Sequence, residues 1–563
     1  MMKVIVGAAL ALLSLTGAAQ ASAAEGAPCA RPQAGSEIER PADLYSKNGA
    51  LNVAFGYYTS MDSRGRTLFC FVTPDGLESP TLHVRPGDTL KLSLTNMIPQ
   101  VTAAPSEVVS GKGDACGDTV MTIASVNIHF HGANVSPACH SDEVIRTLVN
   151  PGQTFEYVIH IPKDEPPGLY WYHPHVHGIS SKALQGGPTG AIEVEGIADI
   201  QPIVAGLPER YIVLRDQQLA TSAVIGPKKP VPNWDVSVNY VPVNYPEYIP
   251  AVIKMQEGAQ EFWRVVNAGA NTIMDIQVTY DGVAQPLQVV AFDGVPTGSK
   301  NGTRKGSIVT QYDILLPPAA RAEFVIAAPA SPSTVAVLKT LSIDGGPIAD
   351  SNPARPLATI ITTKGPASLP RLSAADAPSR HFRFDDLAEA KVTATRKLIF
   401  SEFKPPAGAG DTEGAVFYIT VKGKKEKPFD PNEKPRIVTT RGAVEEWTIF
   451  NHSAEVHEFH IHQIHFLVEE VNGVKIPKDQ QQIYDTFQVP YKQGFGRDPY
   501  IKIKLDFRGP TVGDFVYHCH ILDHEDGGMM AKIRVLPQSG RTRAARARRP
   551  LAQSASAVAP GWR

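Results

Sequence analysis

The segment Arg441-Gly442-Ala443-Val444-Glu445-Glu446-Trp447-Thr448-Ile449-Phe450-Asn451 is one of three matching segments that decide the fold. A glycine opens it, an asparagine closes it nine residues later, and a strand-like run of aromatic and β-branched residues lies between them. The same spacing recurs upstream, from Gly87 to Asn96 and from Gly258 to Asn267. The three glycines lie 171 and then 184 residues apart, which is a domain-sized interval. We therefore predict three related β-domains.

Other segments agree with a β-rich chain. Short alternating runs of apolar and polar residues predict further strands at 82–84, 155–161 and 191–194. Helical periodicity is scarce, and 388–397 is at most a short helix. Turn-rich or small-residue stretches at about 197–208 and 364–382 indicate the boundaries. The prediction is an all-β protein of three β-sandwich domains, at residues 45–197, 205–365 and 380–537.

The two ends of the 563-residue chain differ from this body. Lys3, the apolar run 4–15 and the small residues 21–23 are typical of a secretory signal peptide, predicted at 1–23. We therefore expect an exported protein, periplasmic or secreted, with no transmembrane segment. Residues 538–563 carry six arginines and no acidic residue, which predicts a disordered basic tail that could also touch an anionic surface.

Charge and cysteine content narrow the class of protein. Lys and Arg number 54 against 56 Asp and Glu, and the body without leader and tail is mildly acidic, so nucleic acid is not an expected partner. We expect a monomer. Four of the five cysteines allow two disulfides in an exported chain, in three possible pairings, although some could be buried free thiols; they are Cys29, Cys70, Cys116 and Cys139.

The fifth cysteine lies in a segment rich in metal ligands. Cys519 stands between His518 and His520, and His524 and Met529 follow it by five and ten residues. Thiolate, imidazole and a weak thioether are the ligands of a blue-copper electron-transfer site. On a strand, Cys519 would face one way and its two neighbours the other. One segment could thus bind copper on one side and pass electrons to a second metal site on the other.

Eleven of the 17 histidines fall into four clusters, each with a His-x-His pair that places two imidazoles on one strand face. Neutral imidazole is a good ligand for copper. Two clusters lie in the first predicted domain, two lie in the third, and the second domain has none. We predict a multinuclear copper site between the outer domains, with the middle domain as a spacer or substrate wall. The clusters are 129–131, 173–177, 457–462 and 518–524.

These four motifs resemble those of the multicopper oxidase family, and the resemblance spans roughly residues 45–537. It implies three cupredoxin-like Greek-key domains and four copper ions, one type 1, one type 2 and a type 3 pair. By this resemblance, the type 1 ligands are His457, Cys519, His524 and axial Met529, and the type 2 ligands are His129 and His460. The type 3 ligands would be His131, His173, His175, His462, His518 and His520.

The third motif departs from the usual family pattern His-Pro-x-His-Leu-His-Gly-His. Glu458 replaces the proline, and Gln463-Ile464 replaces the final Gly-His. No ligand is lost, but the surroundings of the type 1 site could differ. The remaining histidines are expected to be core or surface residues, with His177 in a loop or behind the ligands; they are His83, His140, His160, His177, His381, His452 and His465.

Reducing dioxygen to two waters consumes four protons as well as four electrons, so carboxylates near the cluster are candidate catalytic residues. Glu525, directly after His524, matches the proton-relay carboxylate of bacterial family members. Asp142, eleven residues after His131, is a weaker candidate for holding the type 2 water.

The reductant is the least determined part of the prediction. Cuprous oxidases of the family carry a methionine-rich insert, whereas this chain has nine methionines without such a cluster. That favours a laccase-like oxidation of phenols or aromatic amines. A metal-ion oxidase for Cu(I), Mn(II) or Fe(II) stays open, as does a non-catalytic copper-binding envelope protein.

Overall fold

The computed structural model describes residues 28–99, 107–109, 116–117, 119–219, 230–299, 306–364, 383–384, 386–403, 415–494 and 496–538. The predicted signal peptide, His381 and nearly all of the basic tail lie outside these ranges. In the described residues, no helix has both the length and the apolar character needed to cross a membrane.

The first pair of sheets, here domain 1, contains the strands from Asp43 to Val194. One sheet has the order β1-β4-β11-β10-β8 and the other β3-β2-β5-β9, while β6 and β7 form a separate hairpin. The elements are β1 Asp43–Tyr45, β2 Ala50–Met61, β3 Thr67–Val72, β4 Thr81–Val84, β5 Thr89–Asn96, β6 Glu107–Val109, β7 Thr119–Met121, β8 His129–His131, β9 Thr154–His160, β10 Gly168–His173, α1 Ser180–Gln185 and β11 Gly190–Val194.

The second pair, domain 2, follows after two short 3₁₀ turns. Its sheets have the orders β14-β13-β12-β16-β23-β19-β20, with β21 on β19, and β15-β25-β24-β17-β18, with β22 on β17. The strands are β12 Glu209–Gln218, β13 Trp234–Val238, β14 Val241–Val243, β15 Ala251–Gln256, β16 Gln260–Asn267, β17 Met274–Tyr280, β18 Val283–Ala284, β19 Leu287–Phe292, β20 Val295–Pro296, β21 Val309–Gln311, β22 Ile314–Leu316, β23 Arg321–Ala327, β24 Ala336–Thr340 and β25 Arg355–Thr363.

The third pair, domain 3, completes the fold. Its sheets have the orders β27-β26-β29-β35-β31-β32, with β33 on β31, and β28-β37-β36-β30-β34. The elements are β26 Ala394–Phe403, β27 Val416–Val421, β28 Ile437–Thr440, β29 Val444–Asn451, β30 His457–Ile461, β31 Phe466–Val471, β32 Val474–Lys475, β33 Ile483–Tyr484, β34 Thr486–Val489, β35 Tyr500–Asp506, β36 Gly513–Cys519, α2 Leu522–Asp526 and β37 Met530–Leu536.

The predicted all-β fold class is confirmed, and six large sheets of the described residues form three sequential pairs. The residue limits of the three domains remain a prediction. The expectation of a short helix at 388–397 was wrong over most of its length. Leu387–Glu389 forms only a 3₁₀ turn, and from Ala394 the chain is a strand, because β26 pairs in parallel with β29 along seven residue pairs.

The three matching segments have one local structure. Their glycines Gly87, Gly258 and Gly442 have φ angles of 96°, 68° and 101°, a left-handed conformation that favours glycine. The strands that follow, β5, β16 and β29, each pair in parallel with an earlier strand of their own domain.

The asparagine that closes each segment is fully buried and holds the loops beyond the strand. Asn96 donates to the carbonyls of Ala124 and Val149, and Asn267 donates to those of Thr272 and Leu316. Asn451 makes the corresponding bonds to the carbonyls of Glu455 and Pro490. A buried amide that satisfies two loop carbonyls explains why the same residue type ends all three segments.

Strand pairing brings the histidine clusters together in twos. In domain 1, β10 runs antiparallel to β8, so that His173 lies opposite His129. In domain 3, β36 runs antiparallel to β30, so that His518 lies opposite His460 and Cys519 opposite Phe459. Each outer domain therefore presents two clusters on one sheet.

The two predicted disulfides are present, and the fold selects one of the three possible pairings. Cys29 is bonded to Cys70, and Cys116 is bonded to Cys139. Cys519 is the one free cysteine, and it is buried.

Candidate metal centre

The buried thiol of Cys519 lies between two imidazoles from different parts of domain 3. Its Sγ is 3.7 Å from Nδ1 of His457 and 3.7 Å from Nδ1 of His524, and these two nitrogens are 3.0 Å apart. The Glu458 amide donates to the sulfur at 3.3 Å. Met529 is fully buried in the same core, and its amide donates to the carbonyl of His524 at 2.9 Å. Three of the four predicted type 1 ligands, His457, Cys519 and His524, thus converge on one point, and Met529 lies in the same core.

Protein groups cover the outer nitrogens of both imidazoles. Nε2 of His457 is 2.7 Å from the hydroxyl of Ser453, and Nε2 of His524 is 3.3 Å from the carboxylate of Glu455. Phe417 stacks on the ring of His524 with centroids 4.3 Å apart. His457 has no exposed surface, whereas His524 keeps 8%. Of the two type 1 imidazoles, only that of His524 keeps any exposed surface.

Eight buried histidines form the second cluster, between domains 1 and 3. Nε2 of His518 lies 3.3 Å from Nε2 of His175 and 3.1 Å from Nε2 of His462. The rings of His129 and His462 stack at 3.8 Å between centroids. Groups of ring nitrogens lie within 4.8 Å of one another, as metal ligands do. The eight residues are His129, His131, His173, His175, His460, His462, His518 and His520.

Main-chain carbonyls set the tautomers of three of these rings. Nδ1 of His173, His460 and His518 faces the carbonyl oxygens of Pro174, Asp485 and Cys519 at 2.8, 2.8 and 3.0 Å. A carbonyl only accepts, so Nδ1 carries the hydrogen and Nε2 keeps its lone pair. A ligand histidine commonly has its second nitrogen bonded in this way.

Burial keeps these imidazoles neutral. It lowers the pKa of His518 to about 3. Burial, together with mutual repulsion that disfavours protonating adjacent rings and, for His131, the charge of Arg321, lowers the pKa well below the ordinary value for His131, His173, His175, His460, His462 and His520. Neutral imidazole is the form that binds a metal.

The residues of both sites fit copper. Several ring nitrogens of the cluster are buried and have no hydrogen-bond partner among the described residues, which is costly unless a metal ion binds them. They include Nε2 of His129, His173 and His460 and Nδ1 of His131 and His462. Burial also raises the pKa of Cys519 well above its ordinary value, so that a bound cation is needed to stabilise the thiolate. One thiolate and ten imidazoles are a donor set that suits copper.

Glu525 is fully buried at the cluster, as predicted for a relay carboxylate. Its oxygens lie 3.3 Å from Nδ1 of His518 and 3.7 Å from Nδ1 of His175. The hydroxyl of Ser180 in domain 1 donates to it at 3.4 Å. Burial, and next the charge of Asp526, raise the pKa of Glu525 well above its ordinary value. A carboxyl group with a raised pKa therefore lies against two cluster histidines.

Asp142 also lies at the cluster, but its contacts are with protein groups. Its carboxylate is 2.9 Å from Nδ1 of His129. It accepts from the backbone amide of Phe130 and from the side-chain amide of Gln463. Gln463 replaces the glycine of the family motif and has a φ of 60°, where glycine is favoured. Its side chain therefore joins domain 3 to the carboxylate that orients His129 in domain 1.

Sequence reasoning missed Asp485, which is fully buried beside the cluster. Its carboxylate is 3.3 Å from Nε2 of His131, and its carbonyl accepts from His460. Arg321 of domain 2 binds this carboxylate with two nitrogens, at 2.7 and 2.6 Å. No histidine or cysteine motif flanks Asp485 or Arg321, so the sequence carried no local signal for them.

None of the other histidines of the described chain is among the predicted ligands, although Nε2 of His465 lies 3.5 Å from the carboxylate of Asp485 beside the cluster. His177 packs its ring against Phe429, and His83 bonds Asp43 and Glu193. His465 is buried, and its Nε2 lies 2.9 Å from the carbonyl of Asp293. The remaining three bond main-chain or side-chain oxygens near the surface; they are His140, His160 and His452.

Two sequence models of the family described as multicopper oxidase match the chain, at residues 120–198 and 408–539. These ranges contain all four histidine clusters. The chain is also similar to known proteins over most of its length. A multicopper oxidase of Staphylococcus haemolyticus is 24% identical over 501 residues, which cover 86% of this chain and 89% of the relative. A laccase of Bacillus subtilis is 22% identical over 496 residues, covering 81% and 88%.

Solved structures share the fold. A multicopper oxidase of Campylobacter jejuni, described as a metallo-oxidase, superposes with a TM-score of 0.64 at 20% identity and covers 90% of this chain and 96% of its own. The 2F4 variant of a multicopper oxidase of Aquifex aeolicus gives a TM-score of 0.63 at 19% identity, covering 89% of this chain and 100% of its own. At these identities the likeness concerns the fold.

Proposed function

We propose that this chain, which belongs to the multicopper oxidase family, couples four one-electron oxidations of a small reductant to the reduction of one dioxygen to two waters. It is a copper-dependent oxidoreductase with dioxygen as the acceptor. The observation that carries the proposal is that Cys519 belongs to one buried ligand group while its neighbours His518 and His520 belong to another.

When bound, copper would supply one-electron redox chemistry at the Cys519 site and dioxygen reduction at the eight-histidine site. Four ions are proposed, one of which would be held by His457, Cys519 and His524 and, more weakly, by Met529. A second would be held by His129 and His460. The last two would be held by His131, His173, His175, His462, His518 and His520.

The chain itself provides the electron path between the sites. His518 and His520 are covalently attached to Cys519, and the Nδ1–H of His518 donates to the carbonyl of Cys519 at 3.0 Å. This short bonded route supports transfer from the thiolate to the cluster without a mobile carrier.

Glu525 is proposed to move protons at the cluster. Its carboxyl oxygens lie near Nδ1 of His518 and His175, and Ser180 bonds it from domain 1. Asp142 is proposed to orient His129 through Nδ1, which agrees better with its contacts than holding a water molecule. These are the two catalytic residues proposed for the dioxygen half of the reaction.

The reductant is proposed to be a phenol or aromatic amine, which gives its electron to the exposed edge of His524. The nine methionines lie apart from one another except at 1–2 and 529–530, and this supports a laccase-like enzyme. A partly exposed imidazole edge with Phe417 stacked on it suits electron transfer from an aromatic ring. The protein is further proposed to act as an exported monomer.

A second candidate, oxidation of a metal ion, has one observation in its favour. The carboxylate of Glu455 lies 3.3 Å from Nε2 of His524. This negative charge beside the entry edge would attract Cu(I), Mn(II) or Fe(II). One relative in structure is described as a metallo-oxidase.

The test is to load the purified protein with copper and measure copper content, blue absorption and oxygen uptake. We expect four coppers per chain, an intense blue band, and oxygen uptake with a dimethoxyphenol that exceeds the uptake with Cu(I) or Fe(II). The Cys519→Ser variant should lose one copper, the blue band and the activity, because no other thiol is free.

Fewer than four coppers at full loading, or no oxygen uptake with any of these reductants, would refute the proposed oxidase. That result would instead favour a non-catalytic copper-binding protein. Faster uptake with a metal ion than with the phenol would select the second candidate.

A further inference from the structure

A single arginine of domain 2 bonds all three domains at the point where they meet. Arg321 begins β23, and its side chain is completely buried. Its Nε donates to the carbonyl of Leu169 in domain 1 at 3.2 Å, and one terminal nitrogen donates to the carbonyl of Ala319 in domain 2 at 3.1 Å. Both terminal nitrogens donate to Asp485 in domain 3. This two-bond fork fixes the orientation of a carboxylate as well as its position.

Asp485 passes that orientation to the cluster. Its Oδ1 lies 3.3 Å from Nε2 of His131, a ligand from domain 1, and its carbonyl accepts from Nδ1 of His460, a ligand from domain 3. One residue therefore contacts the non-binding side of two cluster imidazoles. Groups that bond a ligand histidine in this way set its tautomer and ring angle.

Asp293, also from domain 2, holds the same segment from its backbone side. Its Oδ2 accepts from the amides of Asp485 and Thr486 at 3.1 and 3.3 Å, and its Oδ1 accepts from the amide of Arg321 at 2.8 Å. Asp293 thus binds the main chain of Asp485, and Arg321 binds its side chain. We name these two residues the domain 2 clamp.

The motif of the first histidine cluster leaves room for this clamp. Gly132 follows His131 with a φ of 86°, and a Cβ at that position would lie 2.5 Å from a terminal nitrogen of Arg321 and 2.9 Å from the carboxylate of Asp485. A side chain at this position would push the guanidinium away from the carboxylate. The glycine of the first metal-binding motif therefore permits the close approach of domain 2.

We propose that Arg321 and Asp293 are positioning residues for dioxygen reduction: through Asp485 they hold His131 and His460 at the angles that the cluster needs. The proposal rests on the proposed oxidase function and adds domain 2 to its machinery. The middle domain is then more than the spacer or substrate wall expected from the sequence.

Arg264 offers a matched control. It is a second fully buried arginine of domain 2, on β16, and it bonds Glu193 of domain 1 and Glu323. Glu323 in turn accepts from the amide of Leu169, the same domain 1 residue whose carbonyl Arg321 bonds. None of these described bonds reaches a ligand histidine.

The experiment compares Arg321→Lys with Arg264→Lys in the copper-loaded protein, with Asp293→Asn as a near-isosteric second change. Lysine keeps the positive charge but cannot make the two-nitrogen contact with the carboxylate. For Arg321→Lys and Asp293→Asn, we expect altered type 2 electron paramagnetic resonance parameters and weaker copper retention during dialysis against a chelator. Re-oxidation of the reduced protein by dioxygen should slow about ten- to a hundredfold. The blue band, and the rate at which a phenol reduces it without oxygen, should stay as in the wild type.

Arg264→Lys should lower the Tm by a similar amount without changing the resonance parameters, the copper retention or the re-oxidation rate. If Arg321→Lys and Asp293→Asn behave like Arg264→Lys, the clamp is merely structural and the proposal is wrong. If Arg321→Lys fails to fold, Asp293→Asn decides the matter by the same readouts. A wild-type protein that binds fewer than four coppers or takes up no oxygen would refute the proposed function instead, whatever the variants do.

Discussion

Single side chains decide which ring nitrogens of the cluster can bind a metal. A carbonyl or carboxylate oxygen faces Nδ1 of His129, His173, His460 and His518, which leaves Nε2 directed into the cluster. Gln463 shows that a hydrogen bond which orients a ligand histidine can offset strain in the backbone. It occupies a left-handed conformation that disfavours a side chain, and its amide bonds the carboxylate that orients His129.

At the same scale, we predict that Glu525→Gln slows re-oxidation of the reduced, copper-loaded protein by dioxygen about a hundredfold, the usual contribution of a positioned general acid. The amide keeps the shape of the side chain, but it cannot deliver a proton. Anaerobic reduction of the blue site by a phenol should keep its rate, because Glu525 lies at the cluster. Stopped-flow absorbance measures both rates.

Glu458→Gln is the matched control for this variant. Glu458 is likewise fully buried with a pKa raised by burial, but its carboxyl group bonds Gln488 and contacts no cluster histidine among the described residues. It should leave re-oxidation unchanged. Equal slowing of both half-reactions in Glu525→Gln would rule out the relay role.

At the scale of elements, one strand carries both metal sites because its side chains alternate. β36 ends at Cys519, and pairing with β30 sets Cys519 opposite Phe459 and His518 opposite His460. The short helix α2 then fixes Glu525, because Asp526 accepts from the amides of Gly178, Ser180 and Ser181 around the start of α1. A bond between elements of two domains thereby places the relay carboxylate.

An acidic residue on β17, away from both sites, leads to a prediction of how the stability of the fold depends on pH. Asp275 lies on β17 opposite Leu315 of β22, and burial, with the charge of Asp313, raises its pKa from 3.8 to about 6. At about pH 2 to 3, well below the ordinary pKa of 3.8, the group is protonated in both the folded and the unfolded chain, so it has no effect. As pH rises through 4 to 6 the unfolded chain loses the proton first, and folding becomes less favourable; above about pH 7 the cost is constant.

Asp275→Asn should therefore stabilise the metal-free protein above pH 7, by about 1 to 2 kcal/mol once solvent screening of this half-buried group is allowed for. It should change almost nothing at about pH 2 to 3. Thermal unfolding across this range measures the difference. Asp313→Asn, at an exposed position, should give a smaller gain of the same sign, and a gain of equal size at both pH values would contradict the assignment.

At the scale of the whole molecule, the site exists only because three domains close on one another. The outer domains supply the eight histidines, and domain 2 reaches them through Arg321 and Asp293. A shared apolar cluster supports this contact with residues of all three, including Leu169, Trp171, Tyr211, Val266 and Leu522. Bound metal would therefore tie the outer domains together.

We accordingly predict that removal of copper lowers the Tm of domains 1 and 3 by roughly 10 °C, the shift expected when a tight ligand is lost from a domain of this size. The buried imidazole nitrogens would be left without partners, which adds to the loss. Calorimetry of the chelator-treated protein should show the domain 2 transition nearly unmoved. Re-addition of Cu(II) should restore the profile, while Mg²⁺ should not, and an unchanged profile would contradict the bridging role.

The all-β fold class, the resemblance to multicopper oxidases and the candidate ligand residues could be predicted from the sequence alone. Period-two alternation, the glycine–asparagine segments and the His-x-His pairs are local patterns, and each is readable within about ten residues. The helix expected at 388–397 failed because strand pairing with β29, some fifty residues away, outweighed the local pattern.

Only the tertiary structure decided how distant segments meet. The disulfide pairing, the exposure of His524 and not His457, and the bonding of Asp485 to Arg321 across 164 residues all depend on domain packing. Burial and charge pairing between domains leave no periodic trace in the chain, because a lone aspartate or arginine has the same sequence signature at a solvated surface as at a buried interface.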